Sequence, residues 1–299
     1  MKIKIILMRR VYSFELRKYL DVPELPQRIV SLTPSLTEIL IEMGMSKYLV
    51  GISSWCRTLI VYGYEELSSK PVVGNYKSVD EEKITRLSPD MILLAGGYQL
   101  RVIDSLKNLG IPFYVVTLPK NVSDIVKVPI EIGYAINKPD EGIRLSKKIL
   151  KELSKIIDIV KEIPILILLN LGELTMPGFF SFITQVFMYA GFNVWNKNIE
   201  QPYIWGENAK NMLKKLSNRV AIVFEDSSLK PSLNNIITQL ESIGVKFQGL
   251  IALPVMSLTS FSTAMIKRIP IIARYVINAY NTNTVEVLHI EQLRLSIKA

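Results

Sequence analysis

Eight aromatic residues stand in short segments that follow apolar, strand-like runs: Trp55, Tyr76, Tyr98, Phe179, Phe180, Tyr203, Trp205 and Phe261. Such rings give a bulky, flat ligand a large contact area with few rotors to freeze, and indole and phenol keep a polar handle. Arg57 is the one arginine in these segments. It can pair with an anionic ligand group or serve as an ordinary surface residue. Thr33, Ser35 and Asn75 supply neutral hydrogen-bonding groups in the same segments.

The residue inventory closes off several other chemistries. The chain has one cysteine, Cys56, and one histidine, His289, so neither a disulfide framework nor a Cys/His zinc cluster can form. A Ser-His-Asp hydrolase would have to use His289, and no G-x-S-x-G elbow is present. G-x-G-x-x-G and P-loop patterns are also missing. Cys56, beside Trp55, reads as a small buried hydrophobe. For an enzyme, the best carboxylates are Glu225 and Asp226 at the end of "RVAIVFED", although acids there more often cap helices or hold loops.

At 299 residues, 49% hydrophobic and 21% charged, the chain has the composition of a globular protein with one large or two medium domains. No apolar run reaches the roughly 18 residues needed to span a bilayer. The opening "MKIKIILMRR" begins like a signal peptide, but its apolar core "IILM" is shorter than the required ~7 residues, so no export signal is visible. Much of the net charge of +9 lies on single lysines such as Lys147, Lys148, Lys151, Lys155 and Lys161. That spacing describes a solvated helix face rather than a nucleic-acid site.

The elements that position the aromatic segments follow from apolar periodicity. "QRIVSLTPSLTEILIEMG" (27–44) reads as a strand, a proline turn and an amphipathic helix, with Leu36, Ile39, Leu40 and Met43 on one face. Ser35 and Glu38 have the spacing of a capping box, and Gly44 suits the helix end. Shifted by 147 positions, Leu36, Ile39, Leu40, Met43 and Gly44 fall on Ile183, Val186, Phe187, Ala190 and Gly191. "ITRLSPDMILLAGG" and "LKNLGIPFYVV" likewise match "MLKKLSNRVAIVFED" and "LESIGVKFQGL". The chain therefore repeats an alternation of strand and helix, which predicts parallel sheets covered by helices.

Residues 137–163 separate the copies and read as one helix of about 22 residues, roughly 33 Å long. The expected architecture is an α/β lobe over 1–136, a long connecting helix over 137–163 and a second α/β lobe over 164–299, with a ligand cleft between the lobes. The loops after the strand carboxyl ends should carry the site, as in other open α/β sheets. "KIKII" (2–6) and "TVEVLHI" (284–290) both look strand-like and could pair with each other.

The first-half stretch "RIVSLTPSLTEILIEMG…LVGISSWC…KPVVGNYKSVDEEKITRLSPDMILLAGG…LKNLGIPFYVV" resembles the substrate-binding proteins of ABC importers for cobalamin, ferric siderophores and haem. The second half, with "MPGFFSFITQVFMYAGFNV" and "KNMLKKLSNRVAIV", is similar to their second lobe. This resemblance implies two lobes bridged by a long helix, a metal chelate held between them, no intrinsic cofactor, no catalysis and delivery to a membrane permease. It also implies a carboxylate on each lobe that docks on the permease. Glu82 matches the first; the second position falls on Asn211, with Glu207 four residues earlier as a substitute. The resemblance implies a place at the cell surface outside the cytoplasm, while the missing export signal leaves the cytoplasm open; a monomer is expected. Two alternatives stay open: a cytosolic corrinoid- or chelate-binding or regulatory module without a permease, and an α/β enzyme using the expected interlobe cleft.

Overall fold

A computed structural model describes residues 7–216 and 219–294, with the side chain of Tyr98 outside the described set. The chain divides into two compact units, Met1–Pro119 with Ser123–Leu150 and Lys120–Val122 with Lys151–Ala299.

The first unit opens with an antiparallel hairpin, β1 (Met8–Ser13) and β2 (Lys18–Pro23). It continues through β3 (Ile29–Ser31), α1 (Pro34–Glu42), β4 (Leu49–Ile52), α2 (Thr58–Val61) and α3 (Glu81–Leu87). Then come β5 (Met91–Ala95), α4 (Ile103–Asn108), β6 (Phe113–Val116), α5 (Val122–Ala135) and α6 (Pro139–Ser154). The sheet runs β4-β3-β5-β6 and is parallel throughout. All five residues of β5 are buried, as expected for a strand covered on both faces. Val30, Leu32, Ile92, Leu94, Leu106 and Val115 form the core on one side of the sheet.

The helix after β3 starts differently from the expected capping box. Thr33 is its N-cap residue and Pro34 its first helical residue, while Ser35 already lies inside the helix. Proline accounts for the shift, because its fixed φ and missing N–H suit the first helical position. At the other end, Gly44 (φ +80°) donates to Ile41 O and Met45 donates to Leu40 O, closing the helix through a left-handed residue.

The second unit contains β7 (Pro164–Asn170), β8 (Leu174–Pro177), α7 (Phe182–Tyr189), β9 (Asn193–Val194) and β10 (Tyr203–Trp205). After these come α8 (Gly206–Leu213), β11 (Ala221–Glu225), α9 (Leu233–Ile243), β12 (Gly249–Leu253), α10 (Thr263–Thr282), β13 (Val285–Val287) and α11 (Ile290–Leu293). Its sheet runs β10-β8-β7-β11-β12-β13, with β9 also on β7. It is mixed rather than wholly parallel: β8 pairs antiparallel with the carboxyl end of β7, and β10 antiparallel with β8. The strand in "TVEVLHI" is β13, which pairs in parallel with β12; "KIKII" lies outside the described residues.

The helix at the junction is shorter than its apolar stripe suggests. α6 has 16 residues, about 24 Å. It tightens at its end through Lys155 N to Glu152 O and Ile156 N to Leu153 O. Asp158, Val160 and Glu162 then donate their backbone N–H groups to Tyr189, Ala190 and Gly191, and Asp158 and Glu162 have positive φ. Those long-range bonds take the donors that a continued helix would need. Among the described residues no helix is long and apolar enough to cross a membrane.

Candidate functional site

Both sheets share one plan. In the first unit β3 is followed in space by β4 on one side and β5 on the other; in the second, β7 has β9 on one side and β11 on the other. Strand order therefore reverses between β3 and β5, and again between β7 and β11. Open α/β sheets bind ligands at the carboxyl ends of such strand pairs.

At the first reversal the two loops are tied together by Gln99, which is buried. Its Oε1 accepts from Thr33 Oγ1 (2.5 Å) and Ala95 N (2.9 Å), and its Nε2 donates to Leu32 O (2.6 Å). Thr33 and Ser35 are both nearly inaccessible. Glutamine carries no local pattern, so only the pairing of β3 with β5 reveals this link. Beneath it, Cys56 lies wholly buried, its Sγ 3.1 Å from Ser53 Oγ and 3.2 Å from Thr37 Oγ1. Burial pushes the Cys56 thiol up, which disfavours the nucleophilic thiolate.

The aromatic residues fall into pairs. Trp55 and Tyr76, both half-buried, lie with ring centroids 5.8 Å apart. Asn75 shapes the loop of Tyr76, its Oδ1 accepting from Lys77 N (2.7 Å) and Ser78 N (3.0 Å). Arg57 is exposed and donates to the Ser68 (3.1 Å) and Lys70 (3.2 Å) carbonyls, which braces its own loop. Tyr98 lies outside the described side chains.

In the second unit, Phe179 and Phe180 are exposed and pack edge to face at 5.2 Å. Their loop is strapped down by Gly178 N to Pro202 O and Phe179 N to Ile199 O, both 2.8 Å. Tyr203 and Trp205 sit 6.2 Å apart on β10, with Trp205 exposed. The Tyr203 hydroxyl accepts from Ser181 Oγ (3.1 Å), and burial pushes the phenol up to about 12. Phe261 differs from these: it is buried edge-on against Phe182.

Glu225 and Asp226 hold loops. Glu225 is buried at the end of β11 and accepts from Leu258 N, from Thr259 N (3.1 Å) and from Thr259 Oγ1 (2.6 Å). Burial raises its carboxyl despite these donors. Asp226 accepts from Asn170 Nδ2 (3.1 Å), Ser227 N (2.7 Å) and Ser228 Oγ (2.9 Å), joining the loops after β7 and β11. His289 caps α11 together with Gln292.

The two proposed docking carboxylates occupy the same place in their helices. Glu82 is the second residue of α3 and Glu207 the second of α8, each in the first turn and exposed. Asn211, the position matched by the sequence resemblance, is the sixth residue of α8, one turn beyond Glu207. Glu82 pairs with Arg86 (3.1 Å) and Glu207 with Lys210 (3.4 Å).

Both units thus carry the same strand reversal, with ring pairs in the segment between β4 and α3, after β8 and on β10. The periplasmic binding protein model matches residues 29–225, more than half of the chain, and the chain belongs to that family. A vitamin B12-binding protein of Pectobacterium carotovorum is 27% identical over 134 residues, 44% of this chain and 46% of the relative. The match thus spans less than half the length of that relative. In fold, the chain is similar to the periplasmic vitamin B12-binding protein of Vibrio cholerae (TM-score 0.59, 19% identity, 85% of this chain and 98% of that one). It is also similar to a periplasmic haem-binding protein of Roseiflexus sp. RS-1 (TM-score 0.66, 17% identity, 86% and 99%).

Proposed function

We propose that this chain is a substrate-binding protein for a metal chelate of the cobalamin, haem or ferric-siderophore class, which it delivers to an ABC-type permease. The observation that carries this reading is the set of three aromatic pairs, Trp55–Tyr76 and Phe179–Phe180 in loops and Tyr203–Trp205 on the short edge strand β10. Ring pairs of this kind, with Phe179, Phe180 and Trp205 exposed and Trp55, Tyr76 and Tyr203 half-buried, suit the broad face of a macrocycle or chelate. A ligand that brings its own chelator needs no metal-binding side chains from the protein, in keeping with a chain that has one histidine and one cysteine.

In this reading Thr33, Ser35 and Asn75 shape the loops, while the paired rings make the contacts. Glu82 and Glu207, at matching helix starts, are the permease-docking carboxylates, and the chain works outside the cytoplasm as its family does. Binding without turnover is the expected behaviour.

The test is a tryptophan-fluorescence titration with cyanocobalamin, hemin and ferric siderophores, corrected for absorption by the ligand. Saturable 1:1 quenching by one of them, weakened about tenfold in Trp55→Ala or Trp205→Ala, is expected from the loss of one stacking ring. No saturable response to any chelate overturns the proposal.

A further inference from the structure

The hairpin at the start of the chain lies outside the family match, which begins at residue 29, yet it reaches the ligand end of the first sheet. It is fastened alongside β6: Ser13 Oγ donates to Val115 O (2.9 Å), and Tyr114 Oη donates to Tyr12 O (2.9 Å). Val115 and Val116 end that strand, so the hairpin turn at residues 14–17 projects past its carboxyl end. Arg17 turns the chain with φ +53°, and Leu16 N donates to Ser13 Oγ (3.3 Å). On the outer side, Tyr12 packs edge-on against Phe14 and Tyr19, both at 5.3 Å, and Arg10 stacks over Tyr19. The turn is thus held from both sides.

Its Glu15 carboxylate lies between the loops after β5 and β6. Glu15 Oε2 accepts from Leu118 N at 3.4 Å. A Cβ at Gly96 would stand 2.1 Å from Glu15 Oε1 and 2.7 Å from its Cγ. The glutamate therefore lies directly over the Gly96 backbone, in space that any side chain at 96 would fill. Gly96 and the exposed Gly97 open the segment whose other end, Gln99, is tied to Thr33 across the strand reversal. Glu15 makes no ion pair among the described residues. Its charge also reaches Glu131 of α5, which accepts from Thr117 N and Tyr114 Oη.

We infer that Glu15 is a selectivity residue of the chelate site: its carboxylate on the rim at Gly96 favours ligands edged with amide or hydroxyl donors and opposes ligands edged with carboxylates. The inference rests on the proposed chelate-binding function. An unpaired carboxylate at a rim accepts hydrogen bonds from neutral donors and repels a second anion. Among the chelates considered, a corrinoid rimmed with carboxamides meets that requirement, and a porphyrin bearing two propionates does not.

The deciding experiment compares cyanocobalamin and hemin binding to the full chain and to Glu15→Gln, which removes the charge and keeps an oxygen acceptor for Leu118 N. The wild type should bind cyanocobalamin more tightly than hemin. Glu15→Gln should narrow that ratio about fivefold by tightening hemin, with cyanocobalamin moving less than twofold. Glu15→Ala, read beside its melting temperature, should narrow the ratio to the same extent. A ratio unchanged in both variants, or a wild type that prefers hemin, overturns the assignment of Glu15 while leaving chelate binding intact. If neither these two chelates nor any ferric siderophore saturates the wild type, the chelate-binding function fails and the role of Glu15 falls with it.

Discussion

The two units build the same strand reversal and secure it by different means. In the first, a neutral side chain, Gln99, spans the loops after β3 and β5 with three hydrogen bonds. In the second, an ionisable one, Glu225, anchors the loop after β12, and Asp226 joins the loops after β7 and β11. The second unit also inserts β8 and β10 antiparallel beside β7, which leaves its short β9 to occupy the place of β4. A duplicated plan thus fixes where the loops emerge, while the residues that hold them have been chosen separately in each copy.

The sharpest difference concerns two glycines that correspond in the repeat. Gly44 and Gly191 both close a helix with positive φ, +80° and +92°. A Cβ at Gly44 would meet nothing within 4 Å, whereas one at Gly191 would lie 2.1 Å from Val160 O. Gly44→Ala carries the left-handed backbone penalty alone, about 1 kcal/mol. Gly191→Ala adds a collision with the backbone segment that ends α6, and should cost about 3 kcal/mol or more. Urea denaturation of the two variants checks this. Equal losses would show that the segment after α6 yields easily, and the contrast between the copies would be lost.

A smaller effect separates Gln99 from Glu225 through pH. Gln99→Ala strands the Ala95 N–H and the Leu32 carbonyl in a buried place and should cost about 2 kcal/mol, with little dependence on pH. Glu225 behaves otherwise, because burial holds its folded-state carboxyl above the ordinary range. The folded protein then binds the proton more tightly than the unfolded chain does. Stability is gained as pH falls through the raised value toward the ordinary carboxylate range, and lost as pH rises through it. Glu131 has the same sign for the same main reason, burial. Glu225→Gln should therefore flatten the pH dependence of unfolding without abolishing it. A slope identical to that of the wild type would remove Glu225 as a titrating anchor.

How much of this was legible in the sequence depends on the range of the interaction. The apolar runs at Ile29–Leu32 and Ile165–Leu169, and the glycines ending α1 and α7, follow from local periodicity and backbone preference, and they gave the fold. The extent of α6 did not, since Leu150, Leu153, Ile157 and Val160 keep helical spacing beyond the point where bonds to Tyr189, Ala190 and Gly191 take over. The antiparallel β8 and β10 depend on pairing between residues 174–177 and 203–205, which no local pattern signals. At the site, the aromatic loops were readable as a class. The parts played by Gln99, Glu15 and Arg57 emerge once strand order brings distant segments together.

The smallest expected effect concerns the matching helix starts. Glu82 and Glu207 are exposed and pair with cations one turn away in their own helices, and exposed pairs of that kind contribute about 0.3–0.5 kcal/mol. Glu82→Gln and Glu207→Gln should each shift unfolding by no more than about 0.5 kcal/mol and leave chelate affinity unchanged. If the two helices present equivalent docking carboxylates, each substitution should weaken association with the permease, measured on the purified complex at low salt, and the double variant should weaken it further. A loss confined to Glu82→Gln would mean that the first unit alone supplies a docking acid, and that the likeness of the two copies stops at the backbone.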